Sequence, residues 1–232
     1  MKFSLVVVTR GNRPEELAKL RASLDKQTFR DFELILVDHR EHPEFGGNAG
    51  AARNFGIAQA KGEVIGFPDD DCWYEPDTLE KAAARFAGDS GLEGLVGKWK
   101  SCKSEKINLR NVLYQAGTCF YFLKRAAVNR VGGFDELMGP APNIKFGGGE
   151  DSDLLIRVLK SGGRIERDAE VVIRHPDMPP GDRQKVMAYG VARMHLLAKH
   201  HYPLWFRLAN VIYPLRKFNF DMFLGRLRGF CS

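Results

Sequence analysis

The chain has 232 residues, 44% hydrophobic and 28% charged, with a net charge of +6. That length allows one full core with an appendage, and the balance is that of an ordinary soluble globular protein. No run approaches the roughly 18 apolar residues of a membrane span. MKFSLVVVTRGN has too short an apolar segment for a signal peptide and lacks a small-residue cleavage site, so cytoplasmic residence is expected. Cys72, Cys102, Cys119 and Cys231 lack the paired spacing of a zinc site or redox dithiol, and reduced, mostly buried thiols are expected. From Arg193 onward seven Lys or Arg accompany one acid, Asp221, so the tail carries the basic excess.

Phe3 to Val8 is β-branched without alternation, the pattern of a strand covered on both faces. Asn12-Arg13-Pro14-Glu15 supplies a cap, a proline and an acid for a helix to about Lys26, with Leu17, Leu20 and Leu24 on one face. Phe32 to Val37 is a second buried strand ending at Asp38, which completes a β-α-β unit and predicts a parallel sheet. A helix over Asn48 to Ala60 leads to a short strand, Val64 to Phe67, stopped by Pro68. Further expectations are a helix over Thr78 to Phe86, a strand over Leu92 to Trp99, and strand within Asn111 to Leu123. A helix over Lys124 to Val131, a loop over Met138 to Gly149, a helix over Asp151 to Lys160 and a short strand over Val171 to Ile173 complete the main body. There is no internal repeat.

Asp69-Asp70-Asp71 follow directly on that third strand. Three adjacent like charges need a cation or hydrogen-bond donors to offset their repulsion. Carboxylates are the ligands hard Mg2+ or Mn2+ prefer, beside the phosphates of a substrate. A solvated acidic turn is the plain alternative. Asp38, Asp69 and Asp71 all fall at strand ends, on the rim where open α/β sheets bind ligands.

Five segments in this order resemble the family 2 glycosyltransferases, inverting sugar-nucleotide enzymes with the GT-A fold, over roughly Lys2 to His200. They are SLVVVTRGNRPEEL, LDKQTFRDFELILVD, NAGAARNFGIAQAKGEVIGFPDDD, GGFDE and GGGEDSDLLIRVLKSGG. The resemblance implies an α/β GT-A fold with a mostly parallel central sheet flanked by helices and a C-terminal helical extension. It implies a catalytic domain over 1–192, with a nucleotide-binding half of about 1–100 and an acceptor half over 101–192, followed by a tail over 193–232.

By the same resemblance Asp69 and Asp71 form the D-x-D pair around Mn2+ or Mg2+. Asp71 coordinates directly, and Asp70 or Asp69 lies nearer the ribose or a metal-bound water. His175 completes the metal sphere, against the alternative of a hydrogen-bonded structural histidine. Asp151 is the base that takes the acceptor proton and Glu150 bonds an acceptor hydroxyl. Read alone, these are simply favourable acids in a first helical turn. Thr9 and Asp38 match nucleoside contacts, and Arg53 a basic group near the base or diphosphate. The chain departs from the pattern with Asp38-His39 where two acids are common. It has Gly11 where an aromatic ring often stacks, with Arg10 as the substitute. UDP-sugar is the default donor.

The acceptor class is a glycan or lipid-linked saccharide. Without the Q-x-x-R-W motif and spans of processive members, a distributive enzyme is expected. A nucleotidyltransferase and an inactive partner subunit are the alternatives. The first lacks its glycine-rich basic loop here, and the second should have lost Asp69, Asp71 or Asp151.

From Met194 the chain interleaves Trp205, Phe206, Leu208, Ile212, Phe220 and Phe223 with Arg207, Arg216, Lys217, Arg226 and Arg228. That composition suits an interfacial helix on anionic lipid, peripheral on the inner membrane face. Packing on the main domain or a homodimer is the competing reading, and nucleic acid has no supporting motif. Pro203 and Pro214 divide the stretch into two or three short helices.

Overall fold

A computed structural model describes residues 1–98, 102–114, 117–139, 141, 146–176 and 183–231. Strand β1 (Phe3–Thr9) is followed by α1 (Pro14–Leu24), β2 (Phe32–Asp38), α2 (Ala49–Gln59) and β3 (Val64–Gly66). β4 (Trp73–Tyr74), α3 (Thr78–Gly88), β5 (Leu92–Lys98), β6 (Glu105–Ile107) and β7 (Tyr121–Lys124) come next. Then follow α4 (Arg125–Val131), α5 (Glu150–Lys160), β8 (Arg164–Arg174), α6 (Arg183–Lys199), α7 (Leu204–Ile212) and α8 (Phe220–Cys231). The predicted end of β5 at Trp99 lies outside the described residues, as do Pro140, 142–145 of the predicted loop and 115–116 of the Asn111–Leu123 segment.

The sheet order is β2-β1-β3-β7-β5-β8-β4, with β6 added on β8. β1 runs parallel to β2 and β3, and β5 parallel to β8. β7 opposes both β3 and β5, while β4 and β6 oppose β8. The sheet is therefore mixed rather than mostly parallel. A parallel connection needs a crossover, usually helical. Between β5 and β7 the described chain holds only β6 and short 3-10 turns, so β7 enters antiparallel. β8 also begins seven residues before the predicted Val171. Its early residues, Arg164 to Glu170, are mostly charged and half-buried, and they form ion pairs, Glu166 with Arg85 at 2.7 Å and Arg167 with Glu105 at 2.9 Å.

β1 is buried on both sides. Phe3, Leu5 and Val7 join the cluster containing Leu20, Leu24 and Phe86, while Val6 faces the one containing Ile65, Phe67 and Leu154. Each such side chain contributes about 1.5–3 kcal/mol by leaving water. Asn48 caps α2 by accepting from the Gly50 and Ala51 amides, as its residue type predicts. At the other end of the chain, α8 seats on α6 through glycines. A Cβ at Gly225 would collide with the Met187 backbone, and one at Gly190 would lie 2.8 Å from the Arg226 amide nitrogen. The expected boundary at 192/193 falls within α6.

Candidate active site

β1, β2 and β3 run parallel and deliver their ends to one rim. Thr9 stands in register with Asp38, and Val8 bridges to Asp69 just beyond β3. The Thr9 hydroxyl donates to Asp70 Oδ2 at 2.7 Å and accepts from the Gly11 amide at 3.0 Å. Burial pushes the Asp70 carboxyl up despite that bond.

Asp71 lies beside His175 because of strand register. β4 begins two residues after Asp71, and Trp73 pairs with Arg174 of β8. This sets His175 Nε2 3.1 Å from Asp71 Oδ1. The hydrogen bond from His175 holds Asp71 below its ordinary range and in turn raises the imidazole. Arg13 closes on Asp71 and stands 3.5 Å from Asp70. The α1 cap position is Arg13, whose side chain goes to these acids rather than to the helix end.

A divalent ion fits this set. His175 Nδ1 lies 2.7 Å from the Pro176 carbonyl oxygen, the outer hydrogen bond that orients a metal-binding imidazole with Nε2 inward. Nε2 then faces carboxylate oxygens, a pairing that requires a proton or a cation between them. Asp69, Cys119 and His175 present ligand atoms within 4.8 Å of one another. Burial pushes the Cys119 thiol well up, while oxygen and imidazole donors such as Asp69 and His175 are those that Mn2+ or Mg2+ would favour.

Across the cleft, Gly149 precedes α5, and its φ of +91° makes the sharp entry. Glu150 is buried, and burial with the adjacent Asp151 charge raises its carboxyl. Asp151 keeps partial solvent access, and its Oδ1 accepts from the Ser152 amide at 2.6 Å. Desolvation raises its carboxyl too, so the helix N-terminus is outweighed here. Gly117 stands opposite, where even a Cβ would come within 3.7 Å of Asp151 Oδ2.

Arg53, on α2, joins the two halves. One guanidinium nitrogen is 3.3 Å from Asp69 Oδ1 and the other 3.4 Å from Glu150 Oε1. It is buried, and its charge is retained because the two carboxylates outweigh desolvation. The resemblance put Arg53 near the base or diphosphate; in the structure its two terminal nitrogens face Asp69 and Glu150.

Asp38 is likewise engaged. Arg40 donates from its amide at 2.9 Å and from Nη2 at 2.6 Å, which lowers the carboxyl. The Arg40 guanidinium occupies the space that a side chain at Gly11 would need. Arg40 is thus the planar cation at the position where a stacking ring was sought, while Arg10 is exposed at the end of β1. Asp153 is fully buried and tied to Lys199 at 2.6 Å, His200 at 2.8 Å and Arg157 at 2.7 Å. It fastens α5 to α6 and turns away from the cleft. Arg40 and Cys119 lie outside the quoted motifs, and Arg13, though within one, gave no sign of its reach to Asp71.

The family model described as glycosyl transferase family 2 matches residues 39–113. The uncharacterized glycosyltransferase YwdF of Bacillus subtilis (strain 168) is 35% identical over an alignment of 101 residues, covering 36% of this chain and 37% of that protein. Glycosyltransferase AglE of Haloferax volcanii is 26% identical over 205 aligned residues, covering 79% of this chain and 60% of that one. The chain therefore spans about a third of the first relative's length and 60% of the second's, less than two thirds of either. Among solved structures, S. aureus TarS 1-349 with UDP-GlcNAc superposes with a TM-score of 0.65 at 19% identity, covering 91% of this chain and 67% of that one. The mannosyltransferase PcManGT of Pyrobaculum calidifontis, with GDP-Man and Mn2+, superposes with a TM-score of 0.68 at 17% identity, covering 97% and 73%. At those identities the likeness is one of fold, the GT-A type expected.

Proposed function

We propose, from the glycosyl transferase family 2 match over residues 39–113 and the likeness to two glycosyltransferases, that the chain moves one sugar, with inversion, from a nucleoside diphosphate sugar to a saccharide hydroxyl. The observation that carries this reading is the Arg53 link between Asp69 and Glu150, which sets the acidic rim and the α5 carboxylates on one cleft. Asp71, Asp69 and His175 would hold Mn2+ or Mg2+, which when bound neutralises charge on the departing diphosphate.

Asp151 takes the acceptor proton. It keeps partial solvent access and faces Gly117, which has no side chain to block an approaching hydroxyl. Glu150, held by Arg53, orients that hydroxyl. Thr9 and Asp70 line the donor side, and Asp38 with Arg40 meets the nucleoside. The two structural relatives are complexes with UDP-GlcNAc and GDP-Man, so the UDP default has GDP as a direct competitor. A glycan or lipid-linked saccharide is the acceptor class.

The test is a screen of nucleotide sugars for nucleotide release with Mn2+ or Mg2+. Release from one donor class, lost in Asp71→Ala, supports the reading. No turnover or binding of any nucleotide sugar by the wild-type chain favours the inactive-partner alternative. Pyrophosphate release from a nucleoside triphosphate and a sugar phosphate favours the nucleotidyltransferase.

A further inference from the structure

The sequence singled out a basic aromatic tail that the transfer chemistry does not use. In the fold its inner side is committed. α8 is locked on α6 by Gly225 and Gly229, and Arg226 Nη1 donates to the Asn210 carbonyl at 2.7 Å. Arg207 sits over the Phe230 ring, and Arg193 donates to the Leu113 carbonyl. Three of the seven tail cations are therefore inward-facing and structural.

The outer side is different. On α7, Leu204, Trp205, Leu208 and Ile212 share one helical face and are 43–61% exposed. On and before α8, Phe218 is 84% exposed, and Phe220, Leu224 and Leu227 are 39–62% exposed. Eight large apolar side chains on adjoining helices are a patch of the kind that marks an interaction site on soluble proteins. The exposed cations Arg216, Lys217 and Arg228 lie among them. The tail's one described acid, Asp221, is held by Arg183 at 2.9 Å. Among the described residues no helix is long and apolar enough to cross a membrane.

We infer that α7 and α8 form a docking face for an anionic lipid bilayer, with the apolar side chains entering the headgroup boundary and Arg216, Lys217 and Arg228 meeting lipid phosphates. Charge sign decides the occupant. A two-fold pairing of this face with a second copy would bring the same positive rim to both sides of the contact. A bilayer of acidic headgroups complements it. The face also connects to the catalytic end, since α6 carries α8 and holds Asp153 of α5 through Lys199. On the transferase reading, an acceptor embedded in that bilayer would be presented near Asp151. The docking itself does not depend on that reading.

The test is co-sedimentation of the full chain with vesicles of phosphatidylcholine alone or mixed with phosphatidylglycerol. The expected result is salt-sensitive binding to the mixed vesicles only. It should weaken roughly 30-fold in Arg216→Gln/Lys217→Gln, at about 1 kcal/mol per cation. Trp205→Ser should weaken it with an unchanged circular dichroism spectrum and melting temperature, which separates lost docking from lost folding. Absence of binding to either vesicle, or equal binding to both, overturns the inference. So does a dimer in solution that Trp205→Ser dissociates, since the face then belongs to a second copy. Nucleotide release is read separately in detergent-free solution, so its loss leaves the vesicle result standing.

Discussion

Arg53 holds Asp69 with one guanidinium nitrogen and Glu150 with the other, at 3.3 and 3.4 Å. A planar fork is the one side chain that can face two carboxylates in fixed directions while staying charged in a buried position. Glu150 depends on it: burial and Asp151 already push its carboxyl up, and without the guanidinium it would lose its strongest opposing influence. Arg53→Ala should therefore unfold at lower denaturant, by about 3–5 kcal/mol, because it strands buried acids. Arg53→Lys keeps the charge but not the fork. It should regain part of that stability and little of the nucleotide release, which equilibrium unfolding and a coupled release assay read separately.

The cation prediction follows from His175. Chelation of divalent ions should abolish nucleotide release, and Mn2+ should restore it. His175→Ala should raise the Mn2+ concentration giving half-maximal release by about tenfold or more, as loss of an oriented imidazole does. Thermal shift with a nucleoside diphosphate, with and without Mn2+, checks the same point without turnover. A variant with unchanged Mn2+ dependence would return His175 to a structural role.

The parts of this site legible in the sequence share a local signature. Asp69 to Asp71 follow an apolar run and a proline, and Glu150 and Asp151 open a helix after three glycines. Each cluster announces itself within a few residues. The joints between clusters do not. Arg53 and Glu150 are 97 positions apart, and Arg13 reaches Asp71 across 58. Arg13 instead reads as part of a helix cap, and Arg40 as loop. The sheet shows the same division. β1 and β3 are continuous apolar runs, whereas β8 is half charged and gains its pairing only from β5, β4 and β6. A strand whose half-buried charged residues are satisfied by ion pairs carries no hydrophobic period to detect.

The pH dependence of transfer follows from burial. Desolvation raises the carboxyls of both Glu150 and Asp151, and the Asp151 charge adds to the rise at Glu150. A base works deprotonated, so activity should fall on the acid side, and the midpoint of that fall should lie above the usual aspartate value of about 3.9. A kcat/KM profile with saturating Mn2+ gives it. Asp151→Asn should retain donor binding and lose about 100-fold or more of kcat at every pH, with the acid limb gone.

Asp153 supplies the opposite sign. Burial alone would raise its carboxyl, but His200, Lys199 and Arg157 outweigh it and hold the group far below its ordinary range. A carboxyl depressed in the folded state contributes its full stability above the unfolded value of about 3.9 and loses it as the pH falls below that toward the folded value. Asp153→Asn removes the charge while leaving two or three cations facing the site, which should cost about 3 kcal/mol near neutrality. The deficit relative to wild type should shrink as the pH drops below about 4, where the wild-type carboxylate begins to protonate in the unfolded chain. Melting temperatures of both proteins across that range check it. A deficit that stays constant to the lowest pH at which both remain folded would mean that Asp153 acts by packing, and that the joint between α5 and α6 is not electrostatic.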